Sequence, residues 1–129
     1  MRIAIIGSGN VGSGLASLLG KAGFKVVIGA RDIAKAKDLA KALGDDVSVA
    51  TLKDAASSAQ IVFLAVPYAE AASALAQAGD LKGKVIVDVT NPLTPDYMGL
   101  TLGFTTSAAE EIQKLVPGSK VVKAFNTVF

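Results

Sequence analysis

Residues 6–15 read Ile-Gly-Ser-Gly-Asn-Val-Gly-Ser-Gly-Leu, and four of these ten are glycine. Glycine weakens helices and strands alike, so a cluster this dense implies that something must come close to the backbone. Gly7, Gly9 and Gly12 have the spacing G-x-G-x-x-G. Between a strand and a helix, the first glycine permits a tight turn and the second lets a pyrophosphate reach the main chain. The third lets helix and strand pack closely. The start of the helix contributes unpaired N–H groups and the positive end of its dipole. Any α/β protein can carry a Gly-rich turn. Here the apolar run before it and the amphipathic pattern after it favour a dinucleotide cradle.

The end of the second apolar run bears on which dinucleotide. Sites for NAD usually carry an acid there to hold the ribose hydroxyls. This chain has Ile28-Gly29-Ala30 and then Arg31. Small residues leave room for a 2′-phosphate, and Arg31 offers it a planar, charged partner. Lys35 adds a second positive charge. Asp32 suits a helix N-cap better than a ribose ligand. The competing reading of Arg31 is a solvated loop residue paired to a nearby acid.

Three other short stretches fall at strand ends, where open α/β sheets bind ligands. They are Val66-Pro67-Tyr68, Thr90-Asn91-Pro92 and Asn126-Thr127, expected on the nicotinamide side. Their amides and hydroxyls can orient a carboxamide, but none is an evident acid or base. Asp88 reads as a structural hydrogen-bonding residue, and Tyr68 and Tyr97 as packing or rim residues. The chain has no cysteine and no histidine. Disulfides and thiol catalysis are excluded, and the commonest general base and metal ligand is missing. No metal site is expected, and any chemistry must lean on a bound cofactor.

The elements that would position these groups alternate regularly. Strands are predicted at 2–6, 25–29, 47–49, 61–66, 85–89 and 120–125, Val- and Ile-rich and continuous, as strands buried on both faces read. A first helix should bury Val11, Leu15, Leu18, Leu19 and Ala22 and stop at Gly23. A second opens at Asp32, buries Ile33, Ala36, Leu39, Ala40 and Leu43, and stops at Gly44. A third covers 52–59 behind a Thr51 cap, and a fourth covers 69–78. A fifth opens at the capping-box spacing of Ser107 and Glu110 and stops before Pro117. Right-handed crossovers then give a doubly wound parallel sheet, a Rossmann α/β fold with strand order 3-2-1-4-5-6. One long loop, 90–106, remains. The whole of 1–129 is expected to be one dinucleotide-binding domain.

Composition fits that class. The chain has 129 residues, 51% of them hydrophobic, with 13 basic against 11 acidic residues and a net charge of +2. Mean hydropathy is +0.50, yet no apolar run approaches the ~20 residues of a membrane span. The opening MRIAII is too short for a signal peptide. A cytoplasmic protein without nucleic-acid or membrane partners is expected.

Together, MRIAIIGSGNVGSGLA, VVIGARD, AVPY, VIVDVTNPL and KVVKAFNT resemble the N-terminal domain of the NADPH-dependent deazaflavin (factor 420) reductase family. The cytoplasmic domain of ferric metalloreductases is among its relatives. The resemblance implies that NADP is held at its phosphates by Ser8, Gly9, Asn10 and Val11. Ala30, Arg31 and Lys35 would take the 2′-phosphate, with Val66, Tyr68 and Asn91 near the ribose or nicotinamide. It implies hydride transfer between NADPH and a deazaflavin or flavin-like acceptor. Family members continue past KAFNT into a part that helps build the acceptor site and the dimer. The alternative is therefore a cofactor-binding module without activity of its own. The sheet near Val121–Phe125 should be left uncovered, and a homodimer through that region, with Val128 and Phe129 nearby, is expected.

Overall fold

Strands with no polar alternation need cover on both faces, and the computed structural model shows how they find it. It describes residues 2–7, 9–89 and 108–123. The strands are β1 (Arg2–Ile6), β2 (Lys25–Gly29), β3 (Val47–Ala50), β4 (Ile61–Leu64), β5 (Val85–Asp88) and β6 (Lys120–Lys123). They form one parallel sheet in the expected order β3-β2-β1-β4-β5-β6. β1 pairs with both β2 and β4, so Ile5 stands between Ile28 and Phe63.

Two helix layers cover the sheet. α1 (Asn10–Lys21) and α2 (Ile33–Leu43) pack Leu15, Ala16, Ala36 and Ala40 against Ile3, Ile5, Val26 and Ile28. α3 (Leu52–Ser57), α4 (Ala71–Ala78) and α5 (Ala108–Leu115) cover the other face. There Ala55, Ala74, Leu75 and Ile112 meet Ala4, Ile6, Val62, Leu64 and Ile86. The buried Val, Leu and Ile side chains among them each contribute roughly 1.5–3 kcal/mol by leaving water.

Several boundaries differ from the sequence expectation, each for a local reason. β4 stops at Leu64, not Val66. Ala65 N–H still donates to Ile6 at 2.9 Å, but Pro67 has no N–H to continue a ladder. β5 stops at Asp88, although Val89 N–H still donates to Leu64 at 3.2 Å. α3 ends at Ser57, not Ala59, because Ser57 and Ser58 turn their hydroxyls onto the carbonyls of Asp54 and Ala55, satisfying its last turn. The fourth helix begins with a separate 3-10 turn, Tyr68–Glu70. On α2, only Ala36 and Ala40 are buried. Residues 90–107 and 124–129, including the long loop, Tyr97, Ser107, Val128 and Phe129, lie outside the described residues.

α1 is turned differently from expectation. Leu15 and Ala16 are buried, but Val11 is 49% and Leu18 68% exposed. Apolar residues surround this helix, so hydrophobicity alone does not choose its inner face. The small residues choose it: a Cβ at Gly12 would collide with the Gly7 carbonyl, and one at Gly20 would crowd Val47 at 3.2 Å. Val11 lies half a turn from Gly20, so Val11 and Leu18 flank the β4 side. On that side, among the described residues, no helix covers the sheet. Along the row Ile5–Phe63–Val87–Val122, exposure rises from 0% at Ile5 to 42% at Val122. Val121, by contrast, packs toward α5 with the opposite core.

Candidate functional site

The Gly-rich turn sits where β1 hands over to α1, at the carboxyl edge of the sheet. Gly7 has φ +114°, and a Cβ there would strike the Ala65 carbonyl oxygen. Its N–H donates to Gly29 at 3.1 Å, tying the turn to β2. Gly12 lies against Gly7. Gly9 is different in kind: a Cβ there would meet nothing within 4 Å. Two of the three glycines are therefore required by the protein's own packing, while the third borders open space.

Gly9 is also the N-cap of α1, with extended backbone and no side-chain cap. Asn10, Val11 and Gly12 open the helix behind it, and no acidic residue occupies that first turn. A 12-residue helix with a bare N-terminus presents N–H groups and partial positive charge to whatever fills the space. These features suit an anionic group such as a pyrophosphate, as a carboxylate would not be competing with it.

At the end of β2, Ala30 is buried and its N–H donates to Ala50 at 3.1 Å. Arg31 follows, exposed. Asp32 accepts from Lys35 N–H at 3.1 Å and caps α2, as its sequence position suggested. Lys35 is exposed on the first turn of that helix. Past β4, Val66 lies beside Gly7, Pro67 is exposed, and Tyr68 opens the 3-10 turn, whose Glu70 N–H donates to Pro67 at 2.8 Å. The structure thus brings Gly7, Gly9, Asn10, Val11, Gly12, Ala30, Arg31, Lys35, Val66, Pro67 and Tyr68 to one edge of the sheet. Ser8, Thr90, Asn91 and Asn126 lie outside the described residues. Asp88 is fully buried, in keeping with a structural role.

Two residues at this edge carry no motif: Glu70 and Ser73 both contact Arg31. Their spacing of three, on one helical face, was the available signal.

Known proteins are similar to this chain in sequence and fold. The family model for NADP oxidoreductases, coenzyme F420-dependent, matches residues 2–92. The chain belongs to the coenzyme F420-dependent NADP oxidoreductase family. Its similarity to the F420-dependent NADP reductase of Methanothermobacter thermautotrophicus is 37% identity over 99% of this chain and 62% of that protein. Rat metalloreductase STEAP3 is 35% identical over 98% of this chain, but only 25% of its own length. A solved structure of a provisionally assigned F420-dependent NADP-reductase from Arthrobacter sp. FB24 superposes with a TM-score of 0.88 at 36% identity, covering 100% of this chain and 64% of that one. The chain therefore spans a quarter of the metalloreductase and just under two thirds of the reductases. More distantly, the reductive aminase of Aspergillus terreus shares the fold at 22% identity and TM-score 0.69. No helix among the described residues of this family member is long and apolar enough to cross a membrane.

Proposed function

We propose that this chain binds NADP(H) across the β1–β4 switch point and presents it, in the cytoplasm, for hydride transfer to a deazaflavin or flavin-like acceptor. One observation carries the reading: Gly9 faces open space at the uncapped start of α1, while Gly7 and Gly12 are fixed by packing. The main-chain N–H groups of Ser8, Gly9, Asn10, Val11 and Gly12 would hold the pyrophosphate. Arg31 and Lys35 would take the 2′-phosphate in the room left by Ala30. Val66, Pro67, Tyr68, Thr90, Asn91 and Asn126 would flank the nicotinamide and its ribose. A bound nicotinamide would supply the hydride, and these residues would hold and orient it. This suits a chain without histidine or cysteine.

Calorimetric titration of NADP+ and NAD+ tests the cofactor. NADP+ should bind roughly ten- to hundredfold tighter, as expected for a charge-assisted contact of about 1.5–3 kcal/mol. Arg31→Ser should erase most of that preference. Equal affinities in the unaltered chain would refute the reading. NADPH oxidation with deazaflavin and flavin acceptors then distinguishes an enzyme from a binding module.

We also infer a homodimer through the sheet edge at Val122, 42% exposed, beside the Val11–Leu18 flank of α1. Apolar surface left open on a soluble chain tends to be buried by association. Light scattering across a concentration series should show the dimer, and a strictly monomeric protein would overturn it.

A further inference from the structure

The side chain that would choose between cofactors is already engaged. Arg31 leaves the end of β2 and reaches the first turn of α4 and the 3-10 turn before it. Its Nη1 lies 3.6 Å from Oε1 of Glu70, and its Nη2 donates to Oγ of Ser73 at 3.1 Å. Ser73 Oγ also accepts from Gln77 Nε2 at 3.1 Å. Both members of the ion pair are 51% exposed, so burial locks neither of them and water competes for both contacts.

The two partners differ in what they do to an incoming phosphate. A guanidinium binds phosphate best as a fork, offering two parallel N–H groups at once. Glu70 competes for one of the terminal nitrogens, and its carboxylate repels a phosphate brought to the same guanidinium. Ser73 does neither. It is neutral, its lone pairs accept from Arg31 and Gln77, and its own proton is left to donate. A ribose carrying only a 2′-hydroxyl meets no such repulsion, because a hydroxyl can donate to a carboxylate.

We propose that Glu70 is a resident counter-anion that a 2′-phosphate must displace from Arg31, so that the 3-10 turn before α4 limits how strongly the site prefers NADP over NAD. The proposal rests on the reading of Arg31 as the partner of the 2′-phosphate. Ser73 is a positioning residue that keeps the guanidinium on the cofactor side while Glu70 is displaced. The selectivity of the site is thus divided between the end of β2, which attracts the phosphate, and the 3-10 turn before α4, which resists it.

Titration of the full chain with NADP+ and with NAD+ tests this, using the unaltered protein, Glu70→Gln and Arg31→Ser. At low ionic strength Glu70→Gln should tighten NADP+ about five- to tenfold and leave NAD+ within about twofold, the gain shrinking as salt screens the charges. Unchanged or weaker NADP+ binding in Glu70→Gln would overturn the proposal, as would an equal gain for both cofactors. Arg31→Ser separates the two levels of failure. If it weakens NADP+ while Glu70→Gln changes nothing, only the role of Glu70 falls. If Arg31→Ser leaves NADP+ untouched, the reading of Arg31 falls and this proposal falls with it.

Discussion

The turns entering α1 and α2 lie side by side at the same edge of the sheet, and they solve the same problem in opposite ways. Each must satisfy the N–H groups that begin a helix. At α2, Asp32 turns its carboxylate onto Lys35 N–H, and α3 repeats the device with Thr51 and Asp54 N–H. At α1 the N-cap is Gly9, with no side chain to offer and no side-chain cap among the described residues. A capped terminus has been satisfied within the chain; an uncapped one, bordered by open space, leaves its N–H groups free for the cofactor phosphates of the proposed function. α4 also starts without a side-chain cap, so it is the open space at Gly9 together with the missing cap that sets the start of α1 apart.

The largest effect should come from the turn that makes the bare terminus possible. Gly7→Ala combines a positive φ with a collision against Ala65 and should lower unfolding stability by about 3 kcal/mol, measured by denaturant titration. A mild effect there would mean that the turn tolerates relaxation. Next comes the test that converts one kind of terminus into the other. Gly9→Asp gives α1 the cap that α2 has, in backbone that any residue adopts and with space for the side chain. Stability should rise by a few tenths of a kcal/mol, while NADP+ binding should weaken by about 2 kcal/mol or more, because the carboxylate takes the N–H groups and repels the phosphates. Undiminished binding would show that the cofactor does not use this terminus. The smallest effect is the reverse operation. Asp32→Ala uncaps α2 and should lower stability by about 1 kcal/mol without weakening NADP+. Lost binding in that variant would make Asp32 a ligand after all.

Much of the architecture was legible from the sequence because buried parallel strands leave an unambiguous trace. Runs such as Val26-Val27-Ile28 and Ile61-Val62-Phe63-Leu64 admit few other readings. The caps at Asp32 and Thr51 were legible too, since their hydrogen bonds are local. The facing of α1 was not, because Val11, Leu15, Leu18 and Leu19 give it apolar residues on several sides. Its orientation is set by where Gly12 and Gly20 let the backbone come close, which is a property of the partner surface. Glu70 and Ser73 were missed for the same kind of reason. Their significance lies in meeting Arg31, 39 and 42 positions away in the chain, and their local spacing of three is shared by any two residues one helical turn apart.

The strand order has a kinetic consequence. Ile3 meets Val26 and Val26 meets Val47 through short crossovers, but Ile3 meets Ile61 only after 58 positions of intervening chain. Closing a loop that long carries more entropy loss than either neighbour, and pairings remote in sequence slow folding. The β1–β4 seam should therefore zip last, joining two halves that have each begun to order. The Gly-rich turn stands at one lip of this seam and Val66 at the other. A ligand spanning both would act as a clasp on the final join and slow its reopening. Hydrogen exchange at Ala65, whose N–H crosses the seam to Ile6, is where that clasp would be felt first.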